Sequence, residues 1–435
     1  MDFPLDFSQH PCFNAQVRHS VMRIHLPVAP RCNVQCNFCT RRFDCVNESR
    51  PGVTQAVLTP EQALHYLETM AARHPQIKVV GIAGPGDPFA NPEETMTTLR
   101  LVRSRFPQML LCLASNGFQV RPYVPELAEL KVSHVSMTVN AVRREIAEGI
   151  YSWVRSGKRV IVGPEAAALM VDNQLDAISA LKAAGILVKI NTVVIEGVNS
   201  HHVLEIADTV KARGADILNP MPMYANHDAV LGIRHVPSLD RIRELKRAVA
   251  ARMPVMHHCT RCRADAVGLL GARETEEDRK ALTDAAGIQS EKKSPAGSGC
   301  DSPNQSPDRP LVAVATREGL LVDQHLGEAT VLWVFRMQAG AVELVEKRIA
   351  PPPGGGDERW HALGNILNDC SSILVSGVGP RPAHVLAGSG LTVHRVEGLI
   401  RDIVPKVLGQ ESVAAYRVTA RPCGEACRGA GNGCG

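Results

Sequence analysis

Cys32, Cys36 and Cys39 carry the clearest chemistry in this chain. They stand as C-x3-C-x2-C directly after an apolar run, Val21 to Val28, that reads as a strand. Thiolates bind iron–sulfur clusters, normally four to a cubane. Three from one short loop hold three irons and leave the fourth open to a substrate. Zinc is the alternative, since C-x2-C pairs also serve that ion, but zinc knuckles rarely take three cysteines in this spacing at a strand end. Further candidate ligands are His10, Cys12, Cys45, Cys112 and the C-x2-C pair Cys259 and Cys262. Taken alone, Cys112 reads as a small core hydrophobe, whereas the 259/262 pair is a strong metal signal. These six are too many for one cubane and suit two cubanes with three protein ligands each. Electron relays are more often capped by four ligands. Incomplete capping therefore points to clusters that are consumed.

The elements that must position these groups alternate. Strand patterns cover Val21–Val28, Ile77–Ala83, Met109–Ala114, Val132–Val139, Leu187–Val194 and Ala215–Leu218. Helix patterns cover Pro60–Arg73, Pro92–Phe106, Pro164–Ala184, Ser200–Arg213 and Ser238–Met253, with Pro60, Pro92 and Pro164 suited to first turns. Such βα repeats predict a parallel sheet covered by helices, either a partial barrel or an open sheet, and period alone does not separate the two. Functional groups of these folds gather at the carboxyl ends of the strands, where the cysteine loop falls. Gly84, Gly86 and Asp87 follow the second strand, Ser115 and Asn116 the third, and Asn140 the fourth. Each also suits plain turn capping.

Composition narrows the function. The net charge of +4 over 435 residues shows no concentrated basic tract, and aromatics are only 4%, so nucleic acid is not an indicated partner. The opening MDFPLDFSQH lacks the basic and apolar regions of a signal peptide, and no apolar stretch approaches the ~20 residues of a membrane helix. The expectation is a cytoplasmic chain with reduced cysteines that favour metal over disulfides.

The cysteine segment resembles the radical S-adenosylmethionine (SAM) superfamily. The resemblance implies a partial (β/α)6 barrel, with a [4Fe-4S] cluster on Cys32, Cys36 and Cys39 whose open iron chelates SAM and whose electron yields a 5′-deoxyadenosyl radical. It implies SAM contacts for the backbone of Gly84 and Gly86, and for Asp87, Ser115, Asn116 and Asn140. A narrower resemblance rests on His10-Pro-Cys-Phe, on the run Arg23 to Cys39, on Asp44-Cys-Val-Asn-Glu-Ser-Arg-Pro-Gly and on Gly81-Ile-Ala-Gly-Pro-Gly-Asp-Pro. These are similar to the NifB family of nitrogenase cofactor assembly. That family fuses two [4Fe-4S] clusters, with an added sulfur and a SAM-derived carbide, into an eight-iron precursor. One SAM donates a methyl group and a second supplies the radical. Carried over, His10, Cys12, Cys45, Cys112, Cys259 and Cys262 hold the two substrate clusters, with no assignment of ligand to cluster. His25, His257 and His258 are further imidazoles for which a structural role is expected. Implied partners are cluster donors, carrier or scaffold proteins of nitrogenase assembly, and an electron donor such as ferredoxin or flavodoxin.

Residues 1–273 form the expected catalytic domain and 274–310 a flexible linker, in which residues 274–285 are charged and compatible with a helix, whereas Gln289–Pro310 is rich in Ser, Pro, Gly and Lys. Residues 311–410 resemble the NifX-like carrier family and imply a small ribonuclease-H-like α/β module, with His325 the candidate ligand for a transferred cluster. A tail, 411–435, is Gly-rich with Cys423, Cys427 and Cys434, and is expected to be mobile. A peptide-modifying radical-SAM maturase would carry a C-terminal cysteine-rich domain in place of this module. A non-catalytic scaffold would bind iron and never cleave SAM.

Overall fold

The computed structural model describes residues 5–39, 45, 54–156, 159–224, 229–272, 274–288, 309–317, 319, 321–338, 341–352, 356–413 and 416–417. The chain divides into two compact units, Met1–Ser290 and Glu291–Gly435. The first begins with β1 (Met22–His25), β2 (Val34–Cys36), α1 (Pro60–Arg73), β3 (Ile77–Ile82), α2 (Pro92–Arg105), β4 (Leu110–Ser115), α3 (Val124–Glu129) and β5 (Val132–Thr138). It continues with α4 (Arg144–Glu148), β6 (Tyr151–Ser156), β7 (Arg159–Val162), α5 (Gly163–Ala183), β8 (Leu187–Val194), α6 (Val203–Ala212), β9 (Ile217–Pro222), α7 (Leu239–Ala250), β10 (Val267–Gly268) and α8 (Glu276–Gly287).

Six strands run parallel in the order β1-β3-β4-β5-β8-β9, and β10 joins β1 antiparallel. Because helices cover the outer face, strand residues are buried on both sides, and seven of the eight residues of β8 are fully buried. Helix α1 shows why the sequence is legible here. Thr59 and Gln62 form a capping box, Pro60 opens the first turn, and Ala63, Tyr66, Leu67 and Met70 make the buried stripe. The architecture is the expected partial (β/α)6 barrel. No helix among the described residues is long and apolar enough to cross a membrane.

Two features differ from the sequence reading. Residues 276–287, counted into the linker, form helix α8, closed by a capping box between Thr275 and Asp278 and buried through Leu282 and Ala285. Its Asp278 pairs with His74 at 3.0 Å, so the helix is docked against the end of α1. The helix falls where residues 274–285 are compatible with one, and what differs is that it packs on the catalytic unit instead of belonging to a flexible linker. Second, β2, β6 and β7 make a small antiparallel sheet that short, irregular patterns did not announce. It matters for the site, because β2 carries Cys36. The linker segment 289–308 and the tail beyond 417 lie outside the described residues.

The second unit holds β11 (Leu311–Val314), β12 (Leu321–Val322), β13 (Val331–Gln338), β14 (Ala341–Ile349), α9 (Asp357–Ile366), β15 (Cys370–Val375), α10 (Pro380–Gly388), β16 (Thr392–Arg395), β17 (Gly398–Leu399) and α11 (Ile400–Leu408). Its main sheet runs β14-β13-β11-β15-β16, with β13 antiparallel to both neighbours and β11, β15 and β16 parallel. Trp360, Leu363 and Leu386 pack on one face of the sheet, and Ile403, Val404 and Val407 on the other. This is the expected ribonuclease-H-like arrangement.

Candidate iron–sulfur site

The cysteine loop leaves β1 through buried Leu26, Val28 and Ala29 and enters β2 at Val34. Cys36 is buried, and Cys32 and Cys39 are half-buried beside it. Gln35 holds the loop closed, since its amide donates to the carbonyls of Cys36 at 3.1 Å and Cys39 at 2.6 Å. Cys36 pairs with Tyr151 across β2 and β6. Cys32, Cys39 and Cys259 all pack on one apolar cluster that includes Phe38, Phe118 and Tyr151. The 259/262 pair thus shares an apolar cluster with the triad loop.

The residues expected at SAM have clear tasks within the chain. Gly86 lies so close to the Arg31 backbone that a Cβ would stand 2.2 Å from the Arg31 carbonyl oxygen. Its N–H donates to Ala29 at 2.6 Å, and the Gly84 carbonyl accepts from the Ala29 N–H at 3.2 Å. The glycines therefore serve a close approach of two backbones at the entry to the triad loop. Asp87 is buried, and burial pushes its carboxyl up from the usual value. Its oxygens accept from the N–H groups of Phe89 (2.9 Å) and Asn116 (2.6 Å) and from the Ser115 hydroxyl (3.0 Å). Asp87 and Ser115 thus staple the turn after β3 to the end of β4, a role that spacing could not separate from ligand binding.

Asn116 does reach the triad: its amide donates to Asn33 Oδ1 at 2.7 Å and lies 3.7 Å from the Cys32 sulfur. Asn140 accepts from the Val193 N–H at 2.9 Å, while its buried Nδ2 has no partner among the described residues.

The interior of the barrel gathers most of the remaining candidates. His10, Cys12, Cys112, Cys259 and Cys262 line one cavity, together with Arg23, His25 and Lys189. His10 and Cys12 arrive on the N-terminal segment, whose Leu5, Phe7 and Val17 pack on Val21, Val79 and Leu110 near the strand starts. Gly81 leaves room for His25 and Cys112, because a Cβ there would stand 2.8 Å from His25 Cδ2 and 3.0 Å from the Cys112 sulfur. His25 Nδ1 bonds the Arg263 carbonyl at 2.8 Å, and His258 Nε2 bonds that of Pro11 at 2.9 Å. His257 is exposed. Cys45 is tied by its N–H to the Pro85 carbonyl at 2.8 Å and is not among the residues lining the cavity; residues 40–44 and 46–53 around it lie outside the described residues.

Burial dominates the electrostatics of this chamber. It pushes the Cys12 thiol up to about 11 and Cys112 upward as well, with the Lys189 charge opposing both shifts. It also holds the His10 imidazole well below its ordinary value, and His25 down to about 4. Cluster binding requires thiolates, so nearby cations matter. Arg23 supplies one, donating from Nε and Nη2 to the Cys262 sulfur at 3.3 and 3.1 Å. Four thiols and the His10 imidazole on one cavity make a soft donor set of the kind that iron–sulfur clusters take.

Arg23, Lys189 and buried His134 are functional candidates that sequence reading passed over. The available signal was a charge inside each apolar strand: Arg23 in VMRIHL and Lys189 in LVKINTVV.

Comparison with known proteins agrees with this geometry. Residues 26–210 match the Radical SAM superfamily, and residues 309–410 match the family described as Dinitrogenase iron-molybdenum cofactor. The barrel and its cysteine loop are those of a radical SAM enzyme, a class that uses a [4Fe-4S] cluster and SAM. The chain is 46% identical to the FeMo cofactor biosynthesis protein NifB of Chlorobaculum tepidum, over 99% of both chains. Relatives of the same name from Frankia alni and Klebsiella pneumoniae are each 36% identical, covering 92% and 88% of this chain and 87% and 86% of their own. The chain belongs to the NifB family and acts in FeMo cofactor biosynthesis.

Proposed function

We propose that this chain fuses two [4Fe-4S] clusters with a SAM-derived carbon and an added sulfur, producing the eight-iron, carbide-centred precursor of the nitrogenase cofactor. The observation that supports this most is the cavity lined by His10, Cys12, Cys112, Cys259 and Cys262, with Cys259 packed on the same apolar cluster as Cys32 and Cys39. Both halves of a fused product must share one chamber, and that chamber must open toward the SAM site. When bound, the triad cluster supplies the electron that cleaves SAM reductively.

The remaining work falls to the chain. Cys32, Cys36 and Cys39 hold three irons and keep the fourth for SAM, and Gln35 and Asn116 fix that loop. Gly84, Gly86, Asp87 and Ser115 support it from the neighbouring strands, and Asn140, just beyond β5, is the remaining candidate for SAM. His10, Cys12, Cys45, Cys112, Cys259 and Cys262 hold the substrate clusters, the buried walls excluding water from them.

In the second unit, His325 holds its turn by accepting the Gly327 N–H at Nδ1, 3.1 Å away. We assign this unit to carrying or handing over product, with cluster donors, nitrogenase-assembly carriers and a low-potential reductant such as ferredoxin or flavodoxin as partners. The test is maturation of cofactor-free nitrogenase by anaerobically reconstituted protein with SAM and reductant. Active nitrogenase is expected from the wild type and none from Cys262→Ala; equal maturation by both would contradict the proposal.

A further inference from the structure

Lys189 lies in the middle of an apolar strand, is only 6% exposed, and lines the same cavity as Cys12, Cys112 and Cys262. Its neighbours Val188 and Ile190 are fully buried in the core behind β8, so the alternation of the strand sends the lysine inward. Across the chamber stands Arg23 on β1, with three strands between it and β8 in the sheet order β1-β3-β4-β5-β8. Arg23 is itself fixed on the Cys262 sulfur. Two cations thus bracket the thiols from opposite walls.

Iron–sulfur clusters bound by thiolates are anionic, and each added electron makes them more so. We infer that Lys189 is a positioning residue whose ammonium, facing Arg23, seats the anionic substrate clusters in the chamber and eases their reduction. The inference deepens the proposed function and rests on the cavity being the substrate-cluster chamber. Lys189 reaches the chamber from β8, a strand that donates no thiolate, so its contribution is charge rather than ligation.

The test uses the full chain loaded anaerobically with iron and sulfide, and compares Lys189→Met with Lys189→Arg. Iron per chain is measured, and reduction of each cluster is followed by electron paramagnetic resonance as the potential is stepped, with the triad cluster as internal reference. In Lys189→Met the other clusters are expected to reduce at more negative potential and to be retained less well. Lys189→Arg should restore both. Lys189→Gln, which keeps a polar side chain of similar reach, covers failure of the Met variant to fold and should show the same negative shift. Unchanged potentials without the charge, or equal shifts in the Arg and Met variants, would overturn the role of the lysine while leaving the chamber intact. A wild-type chain that loads only the triad cluster would instead overturn the chamber reading, and the lysine's role with it.

Discussion

Arg23 and Cys262, 239 positions apart, meet through two guanidinium hydrogen bonds to sulfur at 3.3 and 3.1 Å. The first barrel strand thereby fixes the last cysteine of the 259/262 pair. Arg23 is also held by the Leu269 carbonyl at 3.0 Å, so the guanidinium cannot swing away.

Arg23→Met should therefore weaken the cluster on Cys262 without removing a ligand. Hydrogen bonds to charged groups contribute about 1.5–3 kcal/mol, which is roughly ten- to a hundredfold in affinity. Iron per chain measured against chelator concentration should fall in that proportion. Cys262→Ala should go further and lose up to one cubane, with no eight-iron product formed.

Cys36→Ala should remove both deoxyadenosine formation and methyl transfer, because both need SAM on the open iron of the triad cluster. The measurement is deoxyadenosine and S-adenosylhomocysteine after a single anaerobic incubation. Wild-type amounts of either would contradict the role given to the loop. Gln35→Ala keeps all three thiolates but frees two loop carbonyls, so partial loss of triad iron is expected.

The docking of α8 places the end of the catalytic unit near Ile288, whose carbonyl accepts from the Gln62 amide at 2.9 Å. A chain ending there should fold and still form the fused cluster. Leu282→Ala in the full chain should cost about 2–5 kcal/mol of stability, since Leu282 is 2% exposed in the core of that unit. Thermal unfolding checks both expectations.

In the second unit, the Arg348 guanidinium bonds Asp369 at 2.5 and 2.7 Å and holds its carboxyl below the usual value. A carboxyl with a depressed folded value contributes stability that is fully present above its unfolded value, about 3.9, and is lost as pH falls through the folded one. Acidification below about pH 4 should therefore destabilise the wild type more than Asp369→Asn. The effect is small, because Asp369 is 44% exposed.

The barrel was legible because strand and helix periods in residues 21–255 are strong and punctuated by prolines at helix starts. The triad was legible because its spacing is local. The wider set was legible as residue types but not as a constellation: Cys12, Cys112 and Cys262 converge only when distant strands and the N-terminal segment fold together. Asp87 and Ser115 were read toward a ligand because a buried carboxylate bonded to backbone N–H groups leaves no trace in spacing. The docking of helix α8 was hidden by the charge on its outer face, and Lys189 by the apolar strand around it.

The most direct test of the central claim follows the carbon. Reconstituted protein is incubated anaerobically with reductant and SAM labelled with carbon-13 in its methyl group, and the cluster product is extracted. The expected product is an eight-iron cluster that retains the labelled carbon, bound to iron and stripped of its methyl hydrogens. An eight-iron product without the label, or label recovered only as free methylated species beside unfused four-iron clusters, would contradict it.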